Sequence, residues 1–212
     1  MGIIEALSLA MGTAWTSGIN LYATVAALGL AGRLEMIKLP QTLEVLMHPA
    51  VIAVACVMYL IEFLADKIPY VDNGWDILHT FIRVPAGAVL AARSLGEMNP
   101  ALELAALLAG GTIALAAHGT KATTRLAINA SPEPFSNWTA SFTEDVAVFG
   151  SIWMIFNHPL LMLILLLVFL ALVIWLVPKI FRLAKNGFQA LRNRLRGVRP
   201  DHPGPTGSPQ IP

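Results

Sequence analysis

Leu160-Leu-Met-Leu-Ile-Leu-Leu-Leu-Val-Phe-Leu-Ala-Leu-Val-Ile-Trp-Leu-Val177 carries no charge and no helix breaker. At 1.5 Å of rise per residue the run makes a helix of about 27 Å, close to the roughly 30 Å of a bilayer's hydrocarbon core. A helix on the surface of a soluble protein keeps a polar face; this run has none. The composition agrees. Of 212 residues 56% are hydrophobic and 13% charged, against about 25% charged in soluble domains, and mean hydropathy is +0.67. So few charges cannot cover a water-soluble surface. The sequence therefore predicts an all-α, polytopic transmembrane bundle with the lipid bilayer as its main partner.

Outward from that run, further apolar segments fall at 18–32, 49–65, 83–92, 101–117 and 146–156, which gives about six spans. The third and fifth are too short unless extended backward, through Asp76-Ile-Leu-His79-Thr-Phe-Ile-Arg83 and Trp138-Thr-Ala-Ser-Phe-Thr-Glu144-Asp145. Extension carries ionisable groups into or near the membrane, which makes these two helices the informative ones.

Three markers recur in order. Trp15, Trp75 and Trp138 each open a polar stretch leading into a helix; His48-Pro49, Asn99-Pro100 and His158-Pro159 each mark a turn; Lys67, Lys121 and Lys179 each end the helix that follows. Proline begins a helix readily because its missing N–H needs no partner there. This order predicts three parallel helical-hairpin repeats. The competing reading is that Trp, Pro and Lys mark the two interfaces of any multi-pass protein.

After Val177 the chain holds Lys179, Arg182, Lys185, Arg192, Arg194, Arg196 and Arg199 with no acidic residue before Asp201. Basic loops stay in the cytoplasm, so the C-terminus is expected there, and an even number of spans puts the N-terminus there too. The expected organisation is a membrane domain over 1–178, a basic juxtamembrane segment over 179–199 that binds anionic lipids, and a disordered Pro/Gly-rich tail over 200–212. The opening Met-Gly-Ile-Ile-Glu has no positive flank of a secretory signal, so the N-terminus is expected to be retained. The lone Cys56 sits in an apolar run and reads as a small buried hydrophobe.

With this topology the unusual polar groups gather at the cytoplasmic ends of the helices. Glu62 and Asp66 share one helix face, as do Asp76, His79 and Arg83 on the next helix and His118, Lys121 and Arg125 on another. Asn137, Ser141 and Glu144 or Asp145 share a fourth face. Isolated charges at mid-membrane are costly and mark functional sites. Asn20, His79, Arg83, Ser141, Glu144 and Asp145 are therefore expected to line a cavity open to the cytoplasm, with Arg83 facing Glu144. Glu62, Asp66, Lys67, Asp72, Asp76, His118, Lys121 and Arg125 form a secondary polar cluster. For Lys67, Lys121, Asp66 and Asp72 the plainer reading is a helix-end charge that snorkels to head groups.

No phosphate-binding loop, zinc-protease pair or serine-nucleophile elbow occurs. No metal, cofactor or nucleic-acid partner is expected, and nothing marks an enzyme or sets an oligomeric state. Sequons at Asn129 and Asn137 would face the cytoplasm.

The stretches Ser17-Gly-Ile-Asn-Leu-Tyr22, Glu62-Phe-Leu-Ala-Asp-Lys-Ile-Pro69, Trp75-Asp-Ile-Leu-His-Thr-Phe-Ile-Arg83-Val-Pro-Ala-Gly87, Ser131-Pro-Glu-Pro-Phe-Ser-Asn-Trp138 and Ser141-Phe-Thr-Glu-Asp145 resemble a bacterial membrane family known as domain of unknown function 4126. The resemblance covers about residues 10 to 178 and implies a protein of the bacterial cytoplasmic membrane. It carries no activity and no residue role. From the residues themselves the leading expectation is a transporter or channel for an ion or a small polar or anionic solute. Two alternatives stand beside it. One is a scaffold or assembly factor using the basic tail; the other is an enzyme acting on a phosphorylated lipid, with Asp72 and Asp76 holding a metal.

Overall fold

Proline opens every long helix after the first. In the computed structural model, which describes residues 2–129 and 134–195, these are α2 (Pro49–Ala65), α3 (Pro69–Ser94), α4 (Pro100–Asn129), α5 (Pro134–Asn157) and α6 (Pro159–Leu195), preceded by α1 (Ile3–Arg33) and a 3-10 turn at Gln41–Met47. Among the described residues there is no strand. The X-Pro pairs at 48–49, 99–100 and 158–159 start helices, and α3 and α5 do extend backward through their polar stretches. Gly96, with φ +78°, closes the short α3–α4 connection, a backbone state that glycine adopts without strain.

The chain divides into two units, Met1–Ala171 and Leu172–Pro212. The second, as far as it is described, is the C-terminal part of α6, where Lys179 Nζ sits 3.2 Å from the centre of the Trp175 ring. The tail expected to be disordered at 200–212 and the basic residues beyond 195 lie outside the described residues.

The first unit buries charged side chains beside its apolar core and exposes large apolar ones. Arg83 and Arg125 are fully buried, while Phe81 is 79% exposed and Ile77 70%. Large exposed apolar side chains around a charged interior suit a lipid surrounding. By length and composition two helices are able to cross a membrane, Pro100–Asn129 and Pro159–Lys179; the bent pair Gln41–Met47 and Pro49–Ala65, turned by 65°, is a third if it forms one span. α1, α3 and α5 have the length but also polar residues.

α1 corrects the expected topology. It is broken at Asn20, whose φ −147° and ψ 100° are not helical. Asn20 Oδ1 accepts from Ala23 N at 2.9 Å, so this residue caps a second half-helix that starts where the first one stops. The first half begins beside Asn157, His158 and Pro159, and Thr13 Oγ1 lies 3.3 Å from Ser94 Oγ at the end of α3. The vertex sits near the middle of α4, where any side chain at Gly18 would collide with the Ala114 carbonyl and Ala117. The second half then returns: a side chain at Gly29 would strike the Leu46 carbonyl, and Arg33 Nη1 donates to Met47 O. Both ends of α1 therefore lie at one end of the bundle, with its vertex halfway down. The reading of residues 18–32 as a full span, and of α1–α2 as a hairpin like the other two, does not describe this element, because a capped break replaces the continuous helix.

Candidate functional site

The polar faces of α2, α3, α4 and α5 meet at the other end of the bundle. Glu62, in the last turn of α2, is fully buried, and its Oε1 accepts from Arg83 Nη2 at 2.6 Å. Arg83 Nη1 reaches Asp76 Oδ1 at 3.0 Å and His118 Nδ1 at 3.0 Å. Because Arg83 can only donate, His118 Nδ1 must accept. Its proton is then on Nε2, which faces Thr80 Oγ1 and the Asp76 carbonyl, so His118 is a neutral ring wedged between charges.

A second centre forms around Arg125. Its Nε and Nη2 hold the two oxygens of Glu144 at 2.8 Å each, a bidentate pair of the strongest geometry. Nη1 donates to Asn137 Oδ1 at 2.6 Å, and Nη2 lies 3.4 Å from Asp66 Oδ2. Lys121 joins the two centres, with Nζ 3.4 Å from Glu62, 3.5 Å from Asp66 and 3.3 Å from Glu144. The expected Arg83–Glu144 pair is thus corrected: each has nearer partners on other helices, and Lys121 stands between them. Lys121 and Asp66 are buried members of this network, not snorkelling helix ends.

His79 connects the network to α1. Its ring stacks on Trp75 at 4.4 Å between centres, and Nδ1 lies 2.8 Å from the Trp75 carbonyl. A carbonyl can only accept, so Nδ1 carries the proton and Nε2 is free to accept from the Tyr22 hydroxyl at 3.1 Å. Tyr22 is two residues past the break in α1. The vertex of the broken helix therefore touches the charge network through one hydrogen bond.

At the rim Lys67 Nζ lies over the Phe63 ring at 3.1 Å and 3.4 Å from Ser141 Oγ, and Tyr59 faces the Asp145 carboxylate. Asp66 and Lys67 lie in the turn between α2 and α3. Burial, assisted by Glu62 and Glu144 and opposed by Lys121 and Arg125, pushes the Asp66 carboxyl up to about 7; partial burial lowers the Lys67 ammonium.

All of the residues expected at the site converge at this end except Asn20, which reaches it from the opposite side. They do not line one wide cavity. The network is packed, and two small spaces flank it. One, of about 180 Å³, touches Lys121, Glu144 and Thr143 together with Trp15 and Phe169; the other, of about 240 Å³, touches Asn73, Asp76 and Thr80. Among the described residues no group of three or more His, Cys, Asp or Glu side chains is placed to hold a metal ion. Asp72 and Asp76 are separately engaged, Asp72 with Asn129 at 2.8 Å and Asp76 with Arg83.

Sequence reasoning missed Tyr22, Tyr59, Thr80 and Asn129 as partners. Tyr59 could have been found, since Tyr59, Glu62 and Asp66 fall at helical spacings of three and four. The contacts of Tyr22 could not, because they depend on the break in α1.

These features define a class: a helical protein with two to three helices apolar enough to cross a membrane and a buried ion-pair network at one end of its bundle. Within that class, a family model described as Domain of unknown function (DUF4126) matches residues 7–179, and the chain belongs to this family. No curated protein and no solved structure matches it.

Proposed function

We propose that the protein is a transporter or channel for a small polar or anionic solute or an ion. The observation that supports this reading is the break at Asn20, where a half-helix ends and another begins against the buried network. Broken helices at mid-membrane expose backbone groups that serve as solute and ion sites, and irregular backbone is tolerated there only beside protein or a polar space. A network of charges from four helices is also expensive to bury, and such groups commonly lie on transport pathways.

In this reading α1 is re-entrant and α2 to α6 cross the membrane five times. The basic tail is cytoplasmic, against anionic lipids, and the N-terminus lies on the opposite side. The protein sits in a bacterial cytoplasmic membrane. Arg83, His79 and the vertex of α1 contact the solute, while Lys121 and Glu144 rearrange as it passes. The separate engagement of Asp72 and Asp76 makes a lipid-phosphate enzyme built on that pair the poorer fit.

The test is thermal unfolding of the purified protein with inorganic ions, organic anions, phosphorylated lipids or divalent metals, repeated with Arg83→Ala and Glu144→Ala. A ligand at a hundredfold excess over its Kd stabilises the folded state by about 2.7 kcal/mol. Stabilisation by one solute class, lost in both variants, supports transport. Stabilisation only by phosphorylated lipid with a divalent metal would favour the enzyme; none by any compound would favour a scaffold.

A further inference from the structure

Asp72 differs from the other carboxylates of the network. It is fully buried in the first turn of α3. One oxygen, Oδ2, accepts from the side-chain amide of Asn129 at 2.8 Å, while Oδ1 is buried with no hydrogen-bond partner, as are Glu62 Oε2, Asp66 Oδ1 and Asp76 Oδ2; the difference lies in the missing counter-charge. Among the described residues no lysine or arginine pairs with it, whereas Glu62, Asp66, Asp76 and Glu144 each have at least one cation.

The surroundings deepen the imbalance. Asp72 is faced by Asp76 from its own helix and by Arg125 and Lys121 from α4. Those two cations are already engaged by Glu62 and Asp66 of the α2 end and by Glu144 of α5. Among the described residues the centre thus sets Glu62, Asp66, Asp72, Asp76 and the part-buried Glu144 against Arg83, Lys121 and Arg125, with Lys67 and Asp145 offsetting each other at the rim, His118 neutral against Arg83 and His79 counted in the tautomer that accepts from Tyr22. Two negative charges are left over. A buried carboxylate without a counter-charge neutralises itself by taking up a proton.

We propose that this network is a proton-binding site, with Asp72 holding one proton and Asp66 exchanging the second. Protonation of Asp72 removes the buried charge that no lysine or arginine balances. The proton comes from water: the space of about 240 Å³ reaches the adjoining Asn73 and Asp76, and the space of about 180 Å³ touches Lys121 and Glu144 on the far side. Asp66, in the turn between α2 and α3, is tied to that far side through Lys121. This inference rests on the transport reading only in naming the proton as the coupling ion; the occupancy of Asp72 stands without it.

Infrared spectroscopy of the full-length protein in phosphatidylethanolamine–phosphatidylglycerol vesicles at neutral pH tests it without any solute. The wild type should show the carbonyl stretch of a protonated carboxylic acid, shifted in D2O. Asp72→Asn should remove the component that Asp66→Asn leaves, and Asp66→Asn the component that titrates near neutrality. Asparagine mimics a protonated aspartate, so Asp72→Asn should keep the wild-type unfolding temperature at neutral pH. Absence of the band in the wild type would overturn the proposal. So would a band that survives Asp72→Asn unchanged, or stabilisation by sodium at alkaline pH in place of the band. A proton-dependent dye signal from the same vesicles under a solute gradient tests the coupling separately. Failure there with the band intact would reject coupling and leave the site.

Discussion

The two ends of the bundle are both buried, but by opposite means. Where α1 begins and ends, contact is made through small residues: Gly12 against Ile155, Ala14 and Ser17 against Gly87, Gly29 against the Leu46 carbonyl. Where α2 ends and α3 begins, contact is made through long charged side chains, each matched to partners on other helices. In lipid there is little hydrophobic drive between helices, so close backbone packing and polar bonds must hold them together. The first end uses one and the second the other. A packed glycine stripe tolerates no enlargement, and a charge network tolerates no deletion. On the proposed transport reading the difference also separates a fixed end from a moving one, because small-residue packing has one arrangement while a network of three cations and five carboxylates can redistribute.

The largest expected effect comes from deleting a charge. Glu62→Ala leaves Arg83 and part of Lys121 buried without a partner and should destabilise the protein by about 3–5 kcal/mol in thermal or denaturant unfolding. A loss under 1 kcal/mol would mean that the end is wetter than its packing. At the vertex of α1, Gly18→Val forces a side chain into the Ala114 carbonyl and Ala117 and should destabilise by about 1–3 kcal/mol. A neutral result would show that the α1 vertex does not sit against α4. Between the two ends, Asn20→Ala removes the cap on Ala23 N and should cost about 1 kcal/mol, whereas Asn20→Ser should keep most of the stability; equal losses would argue against a capped break.

The smallest effect is one of pH. The Asp66 carboxyl sits at about 7 in the folded protein, above its ordinary value of 3.8. The folded state therefore binds more protons than the unfolded state in that window, and the contribution of this group is greatest below pH 4 and declines as pH rises through 7. The unfolding temperature should fall between mildly acidic and neutral pH, and Asp66→Asn should flatten that fall. An unchanged slope in the variant would move the titration to another group.

Much of this was legible in the chain. The charge-free run at 160–177 sets the solvent, the X-Pro pairs set helix starts, and i, i+3 and i+4 spacings put Glu62 with Asp66 and Lys121 with Arg125 on single faces. These are local rules. The pairing of Arg83 with Glu62 in place of Glu144 was not legible, because face membership says which groups turn inward and not which helix they meet. The fold of α1 was hidden for a different reason. Asn20 in a run of small and apolar residues reads as a polar group on a continuous helix, and only the contacts of Thr13, Gly29 and Arg33 with the same end of the bundle show that the chain turns back.

The most direct measurement is thiol accessibility in sealed vesicles. In a Cys56→Ser background, single cysteines are placed at Gly2, Met36 and Lys185, all exposed positions, and treated with a membrane-impermeant maleimide from one side. A re-entrant α1 predicts that Gly2→Cys and Met36→Cys label from the same side and Lys185→Cys only from the other. Labelling of Gly2→Cys together with Lys185→Cys, and of Met36→Cys from the opposite side, would mean that α1 crosses the membrane, and would contradict the account.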